Sequence, residues 1–218
     1  MVDNQHWLDR WNENRIGFHE PAPNRYLQSR FTDFGLSRGE RVFLPLCGKA
    51  QDIIWLAGQG CEVLGIELSQ LAIEAFFSEN ELDYERRDAD RFAIYRSGNI
   101  TLLQGDFYDM RRHDLKDCRL VYDRAALIAI ESHDRARYYE HMLAIMPSSC
   151  NMLLITLDYD QAEMRGPPFS VPTDEVYQHY QHAFSIQLLE TSDIIDEAPR
   201  WRKVGLTALN ESVFRLDR

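Results

Sequence analysis

After about residue 40 the chain alternates between short apolar runs and stretches where apolar residues recur every three or four positions. Residues 41–46 (Arg-Val-Phe-Leu-Pro-Leu) predict a buried strand, and 51–59 a helix closed by Gly58 and Gly60. Residues 62–67 (Glu-Val-Leu-Gly-Ile-Glu) predict a second strand. Ser69 then caps a helix to about Asn80, with Leu71, Ala72, Ala75 and Phe76 on one face. Further strands are expected at 100–104, 119–122 and 151–157, with a helix over about 134–146 stopped by Pro147. The last third offers strand-like runs at 184–190 and 204–216, and a helix beginning after Thr173.

Strands separated by helices of this length imply βαβ units and a parallel sheet covered on both faces. The last two runs are joined by a polar loop, so an antiparallel C-terminal edge is expected. The expected fold is therefore α/β: a doubly wound, mostly parallel, seven-stranded sheet. Residues 1–40 precede the first strand and carry Trp7 and Trp11 at i, i+4, one face of a helix. They read as an N-terminal helical cap on a core over 41–218, the whole of 1–218 forming a single domain. No internal repeat or Gly/Ser linker divides the chain.

Composition narrows the function. The 218 residues include 24 Lys+Arg and 35 Asp+Glu, a formal net charge of −11. A chain of this length buries roughly 70% of its unfolded surface, so its core needs no disulfide or metal. Without a Lys/Arg run, binding to a nucleic-acid backbone is not expected. The N-terminus has no apolar signal region, and no apolar stretch approaches the ~18 residues needed to cross a bilayer. A cytoplasmic, monomeric protein with no membrane partner is expected. The cysteines Cys47, Cys61, Cys118 and Cys150 include no CxxC pair and read as buried thiols.

Ligands of open α/β sheets bind at the carboxyl ends of the strands. The first such end is Leu44-Pro-Leu-Cys-Gly-Lys49. A phosphate-binding Walker loop is excluded, because Phe43 takes the first glycine position and Ala50 the hydroxyl position. The dinucleotide GxGxxG pattern is absent too. Glu67 ends the second strand 21 residues after Leu46, the spacing of a carboxylate that bonds ribose hydroxyls. A nucleoside cofactor with a ribose and no pyrophosphate fits this pattern, and S-adenosylmethionine is one. A solvated strand end is the plain alternative. Asp106 with Phe107 follows the third strand, offering a polar group and a flat apolar surface to an adenine, or simply a turn. Asp123-Arg124 ends the fourth, as a carboxylate-binding arginine or a surface ion pair.

Taken together the motifs resemble the thiopurine S-methyltransferase family, its bacterial members in particular. The blocks are Trp7-x-x-Arg-Trp11, Ile16-Gly-Phe-His19, Pro45-Leu-Cys-Gly-Lys49 with Asp52, Trp55-Leu-Ala57, Gly65-Ile-Glu67 and Phe76-Phe77. They continue with Gly105-Asp-Phe107, Asp123-Arg-Ala-Ala-Leu127, Tyr159-Asp160 and Gly166-Pro-Pro-Phe169, in family order over nearly the whole chain. The resemblance implies a class I, Rossmann-like S-adenosylmethionine-dependent methyltransferase. By matched position it implies that Trp11, Leu46, Glu67, Asp106, Phe107 and Arg124 contact the cofactor. Phe18, His19 and Arg200 match the acceptor side, and Arg124 and Arg200 are the expected catalytic pair. His6 departs from the family's aromatic at that position, and Glu131-Ser-His133 replaces a Pro-rich turn.

The expected reaction is S-methylation of a small aromatic or heterocyclic thiol. Arg124 and Arg200 would supply a positive field that favours the thiolate. Methylation of selenium or tellurium compounds for detoxification is an alternative, and an NAD-type oxidoreductase is disfavoured by the missing glycines. No metal site is expected: His179 and His182 are i, i+3 with no third ligand nearby. Cys47 lacks a histidine partner and reads as a loop residue. The Arg86–Arg91 charge cluster reads as a solvated face.

Overall fold

A computed structural model describes residues 4–218. The first three residues of the expected cap lie outside the described residues. The chain forms two compact units, one of residues up to Tyr122 with Ile145–Pro147, the other of Asp123–Ala144 and Ser148–Arg218.

The first unit opens with helices α1 (Asn4–Asn12) and α2 (Arg25–Arg30). The Asn24 side chain accepts from the Tyr26 and Leu27 amides and caps α2, while its own amide donates to the buried Asp52 carboxylate at 2.7 Å. Asp52 begins α3 (Asp52–Gly58), so the cap segment is tethered to the helix that follows the first strand. Strands β1 (Arg41–Leu44) and β2 (Glu62–Glu67) are parallel and almost wholly buried, as apolar runs covered on both faces must be. Helix α4 (Gln70–Glu79) buries Ala72, Ile73, Phe76 and Phe77, the stripe set by its 3–4 spacing.

Next come β3 (Glu85–Asp88), β4 (Ala93–Ser97), β5 (Ile100–Gln104) and β6 (Cys118–Arg124). Strands β5, β2, β1 and β6 lie side by side and parallel, while β4 and β3 continue beyond β5 antiparallel. In the second unit, helix α5 (Arg135–Ile145) precedes β7 (Asn151–Asp158), and α6 (Thr173–Tyr180) precedes β8 (Ser185–Asp193). A short helix α7 (Pro199–Lys203) leads to β9 (Asn210–Asp217), which lies antiparallel between β7 and β8.

The α/β class and antiparallel C-terminal pair match the sequence expectation; the strand count does not. Nine strands occur among the described residues, not seven, because β3 and β4 form a hairpin. Every residue of β3 is exposed, so its sequence carries charge rather than an apolar run. The Arg86–Arg91 cluster is an exposed face, as expected, except that Arg91 is half-buried. Arg86 donates to the Tyr95 hydroxyl at 3.0 Å, and Arg91 holds Asp114 through two 2.9 Å bonds. The expected strand at 204–216 shortens to β9, since Gly205 has φ +111° and Val204 is exposed after α7. All four cysteines are buried thiols.

Candidate functional site

Where β1 ends, the backbone leaves extended geometry at once. Leu46 has φ +44° and Gly48 φ +52°, both left-handed, with the Cys47 amide bonded to the Ile66 carbonyl between them. A left-handed leucine is uncommon, and such outliers cluster at ligand sites. This turn delivers the Gly48 amide to Glu67 Oε2 at 2.9 Å. Glu67 Oε1 accepts from the Ser69 amide at 2.7 Å, at the N-terminus of α4, where a carboxylate also gains from the helix dipole. Burial raises the Glu67 pKa, and the amides of Ser69, Gly48 and Leu68 act against that rise. A carboxylate has about four acceptor positions, so with these amides bound it keeps capacity for a further donor such as a ribose hydroxyl.

Gly65, on β2, makes this arrangement possible. A Cβ there would lie 2.7 Å from Cys47 Sγ and from Leu102 Cδ2, so the absence of a side chain lets Cys47 tuck under the turn. Burial, and then the charge of Glu67, holds the Cys47 thiol well above its ordinary pKa, which disfavours the thiolate form.

The cap meets the same turn. Trp11 is buried, and a Cβ on Gly48 would lie 3.1 Å from its Cζ2. Phe18 packs edge-on against Trp11 at 5.5 Å and Trp7 at 5.7 Å. The half-buried His19 follows, its amide bonded to the Ile16 carbonyl. Asp106 caps a short 3-10 turn after β5: Oδ1 accepts from the Tyr108 amide and Oδ2 from Asn4 Nδ2, both at 2.8 Å. Phe107 is buried beside the ring of Tyr108.

Thus Trp11, Leu46, Glu67 and Phe18 share one neighbourhood, and Asp106 joins it through the first residue of α1. Asn4 has no motif of its own, and only its place at the start of the Trp-bearing helix could have signalled it. Arg124 and Arg200 belong to the second unit. Arg124 ends β6 half-buried, next to Ala125 at φ +69°. The preceding Asp123 is fully buried and accepts from the Tyr138 hydroxyl at 2.7 Å and the Leu127 amide at 3.1 Å. Arg200 lies on α7 with its guanidinium 4.7 Å from the Trp201 ring centroid. Trp201 packs on the cluster of Tyr159, Ile195, Leu206 and Leu209. His179 stacks on Tyr139 at 4.1 Å, a packing contact.

The family model described as thiopurine S-methyltransferase matches residues 2–218. A thiopurine S-methyltransferase of Pseudomonas putida is 45% identical over 212 residues, covering 97% of this chain and 98% of the relative. One from Nitrosospira multiformis is 44% identical over 212 residues, covering 97% and 96%. Among solved structures, Haemonchus contortus phosphoethanolamine N-methyltransferase 2 in complex with S-adenosyl-L-methionine superposes with TM-score 0.66 at 13% identity, over 100% of this chain and 60% of that one. Burkholderia thailandensis 1,6-didemethyltoxoflavin-N1-methyltransferase, solved with bound 1,6-didemethyltoxoflavin and S-adenosylhomocysteine, gives TM-score 0.64 at 12% identity, over 99% and 87%. These two likenesses carry the fold, whereas the family model and the near relatives carry the lineage: this chain belongs to the thiopurine S-methyltransferase family.

Proposed function

We propose that the protein transfers a methyl group from S-adenosylmethionine to the sulfur of a small aromatic or heterocyclic thiol. The observation that carries the reading is Glu67, a buried carboxylate oriented by the amides of Gly48 and Ser69, with acceptor capacity left for ribose hydroxyls. A dinucleotide would need further glycines for its pyrophosphate, and this turn has only Gly48. Family membership supports the same chemistry.

When bound, the cofactor supplies an electrophilic methyl carbon on a sulfonium. Leu46 and Trp11 would border it beside Glu67, Asp106 and Phe107 would flank the adenosine, and Arg124 would hold the amino-acid carboxylate. Phe18 and His19 would face the acceptor. Methyl transfer is an in-line displacement, so the protein's work is chiefly to orient and to exclude water, which is worth up to ~7–11 kcal/mol. Arg124 and Arg200 would lower the acceptor thiol's pKa by their charge, removing the need for a strong general base.

Calorimetry with S-adenosylhomocysteine and with NADH, followed by labelled methyl transfer to a panel of aromatic thiols and chalcogen oxyanions, tests the reading. Binding of S-adenosylhomocysteine alone and label on a thiol are expected. Label on the oxyanions only, or binding of NADH only, overturns it.

A further inference from the structure

Helix α1 carries a second polar feature beside its tryptophans. His6 and Arg10 stand at i and i+4, so their side chains lie one above the other on the helix. In each, a nitrogen is shut off from solvent without a hydrogen-bond partner: Nε2 of His6 and Nε of Arg10. Buried polar atoms are rarely left unsatisfied, and two on one helical face call for a common explanation.

Their surroundings are aromatic. The Arg10 guanidinium carbon lies 5.8 Å from the Trp7 ring centroid and 5.6 Å from that of Phe18. The His6 ring meets Trp7 edge-on at 5.6 Å. Phe18 in turn packs on Trp11, which covers Gly48. Burial, and then the charge of Arg15, lowers the Arg10 pKa, and among the described residues no carboxylate pairs with its guanidinium. In a chain of 35 acids a half-buried cation left in this state is conspicuous. Both rings lie to one side of the guanidinium, their centroids 5.7 Å apart, and packing against them restricts its rotamers, so less freedom remains to be lost on forming a hydrogen bond.

We propose that His6 and Arg10 form an anion subsite of the methyl-acceptor pocket, taking a carboxylate borne on a flat aromatic thiol, with Trp7 and Phe18 packed together on one side of the guanidinium. Arginine offers donors only, so the ligand must bring acceptors, and a carboxylate also neutralises the buried charge. The subsite fixes which thiol is preferred and takes no part in the displacement at sulfur. It rests on the thiol-methylation reading, and its test separates the two.

Methyl transfer to 4-mercaptobenzoate and to benzenethiol is compared in the wild type, Arg10→Met, Arg10→Lys and His6→Phe. The ratio of kcat/KM for the carboxylated over the plain thiol is expected to fall about tenfold in Arg10→Met, chiefly through KM, the scale of one charge-assisted hydrogen bond. A smaller fall is expected in His6→Phe, and partial recovery in Arg10→Lys. An unchanged ratio in Arg10→Met, or an equal loss on both thiols, overturns the subsite. Should the wild type methylate neither thiol, the activity reading fails separately. Calorimetry of 4-mercaptobenzoate on protein loaded with S-adenosylhomocysteine then decides: binding lost in Arg10→Met upholds the subsite, and no binding to the wild type overturns it.

Discussion

Trp11 lies so close across Gly48 that any Cβ at position 48 would come within 3.1 Å of the indole. The cap and the turn after β1 are thus fitted to each other at one residue, and that residue also has φ +52°. Gly48→Ala should therefore strain the backbone by about 1–2 kcal/mol and push the indole away. The expected outcome is a fall in melting temperature of roughly 2–8 °C and weaker binding of S-adenosylhomocysteine. Adding Trp11→Ala should recover the packing part of the loss and leave the backbone part. A double-mutant cycle on thermal unfolding measures this coupling, and strictly additive losses would refute it.

Glu67 makes a sharper case, because its nearest isostere is the wrong replacement. Both carboxylate oxygens accept from backbone amides, so the amide nitrogen of Glu67→Gln would set one donor against another. Hydrogen bonds to charged groups are worth about 1.5–3 kcal/mol, so affinity for S-adenosylhomocysteine should fall roughly 10- to 100-fold. Calorimetry reads this directly, and full affinity in the variant would remove Glu67 from the site.

Asp123 links stability to pH. Burial lifts its carboxyl to about 6, against the hydrogen bonds from Tyr138 and the Leu127 and Ala126 amides. The folded pKa exceeds the unfolded value near 3.9, so the native state binds more protons between these limits and stability falls as pH rises from about 4 to about 6. The swing from this group alone is on the order of 2–3 kcal/mol. Asp123→Asn should flatten it, so the wild type loses melting temperature relative to the variant across that window and the gap stays constant above it. Parallel unfolding scans at several pH values measure the difference, and a pH-independent gap would show that Asp123 does not titrate there.

For Arg124 and Arg200 the expected signature is kinetic. If their charge favours the thiolate, the double change to Met raises the bound thiol's pKa and costs most turnover at low pH, where thiolate is scarce. Above the thiol pKa the loss should shrink. A pH–rate profile with a saturating aromatic thiol checks this, and a loss of equal size at every pH would assign the arginines to binding alone.

Much of the fold was legible because buried parallel strands advertise themselves. β1 and β2 are apolar runs with a glycine-bearing turn and an acid at their ends, and α4 shows both its Ser69 cap and its apolar stripe. The β3–β4 hairpin was not legible, since Glu85-Arg-Arg-Asp88 is exposed throughout and pairs through its backbone. The five residues of α7 were hidden in a polar stretch too short to show a period. Within the candidate site, Glu67 and Trp11 could be picked out by position. Asn4, whose amide reaches Asp106, depends on where the chain folds back, 102 residues apart, which no local spacing encodes.

Leu46 and Ala125 have one last consequence. Each follows the end of a strand and holds a left-handed conformation that glycine would adopt freely, at a cost on the order of 1–3 kcal/mol apiece. Screening for heat tolerance would thus be drawn toward Gly at both positions. At Leu46 that exchange deletes an isobutyl group from the turn that presents Gly48 to Glu67, and at Ala125 it loosens the chain next to Arg124. Variants hardened at these two places should survive heating and turn over poorly, so thermal selection of this enzyme is safer when directed to the exposed β3 strand.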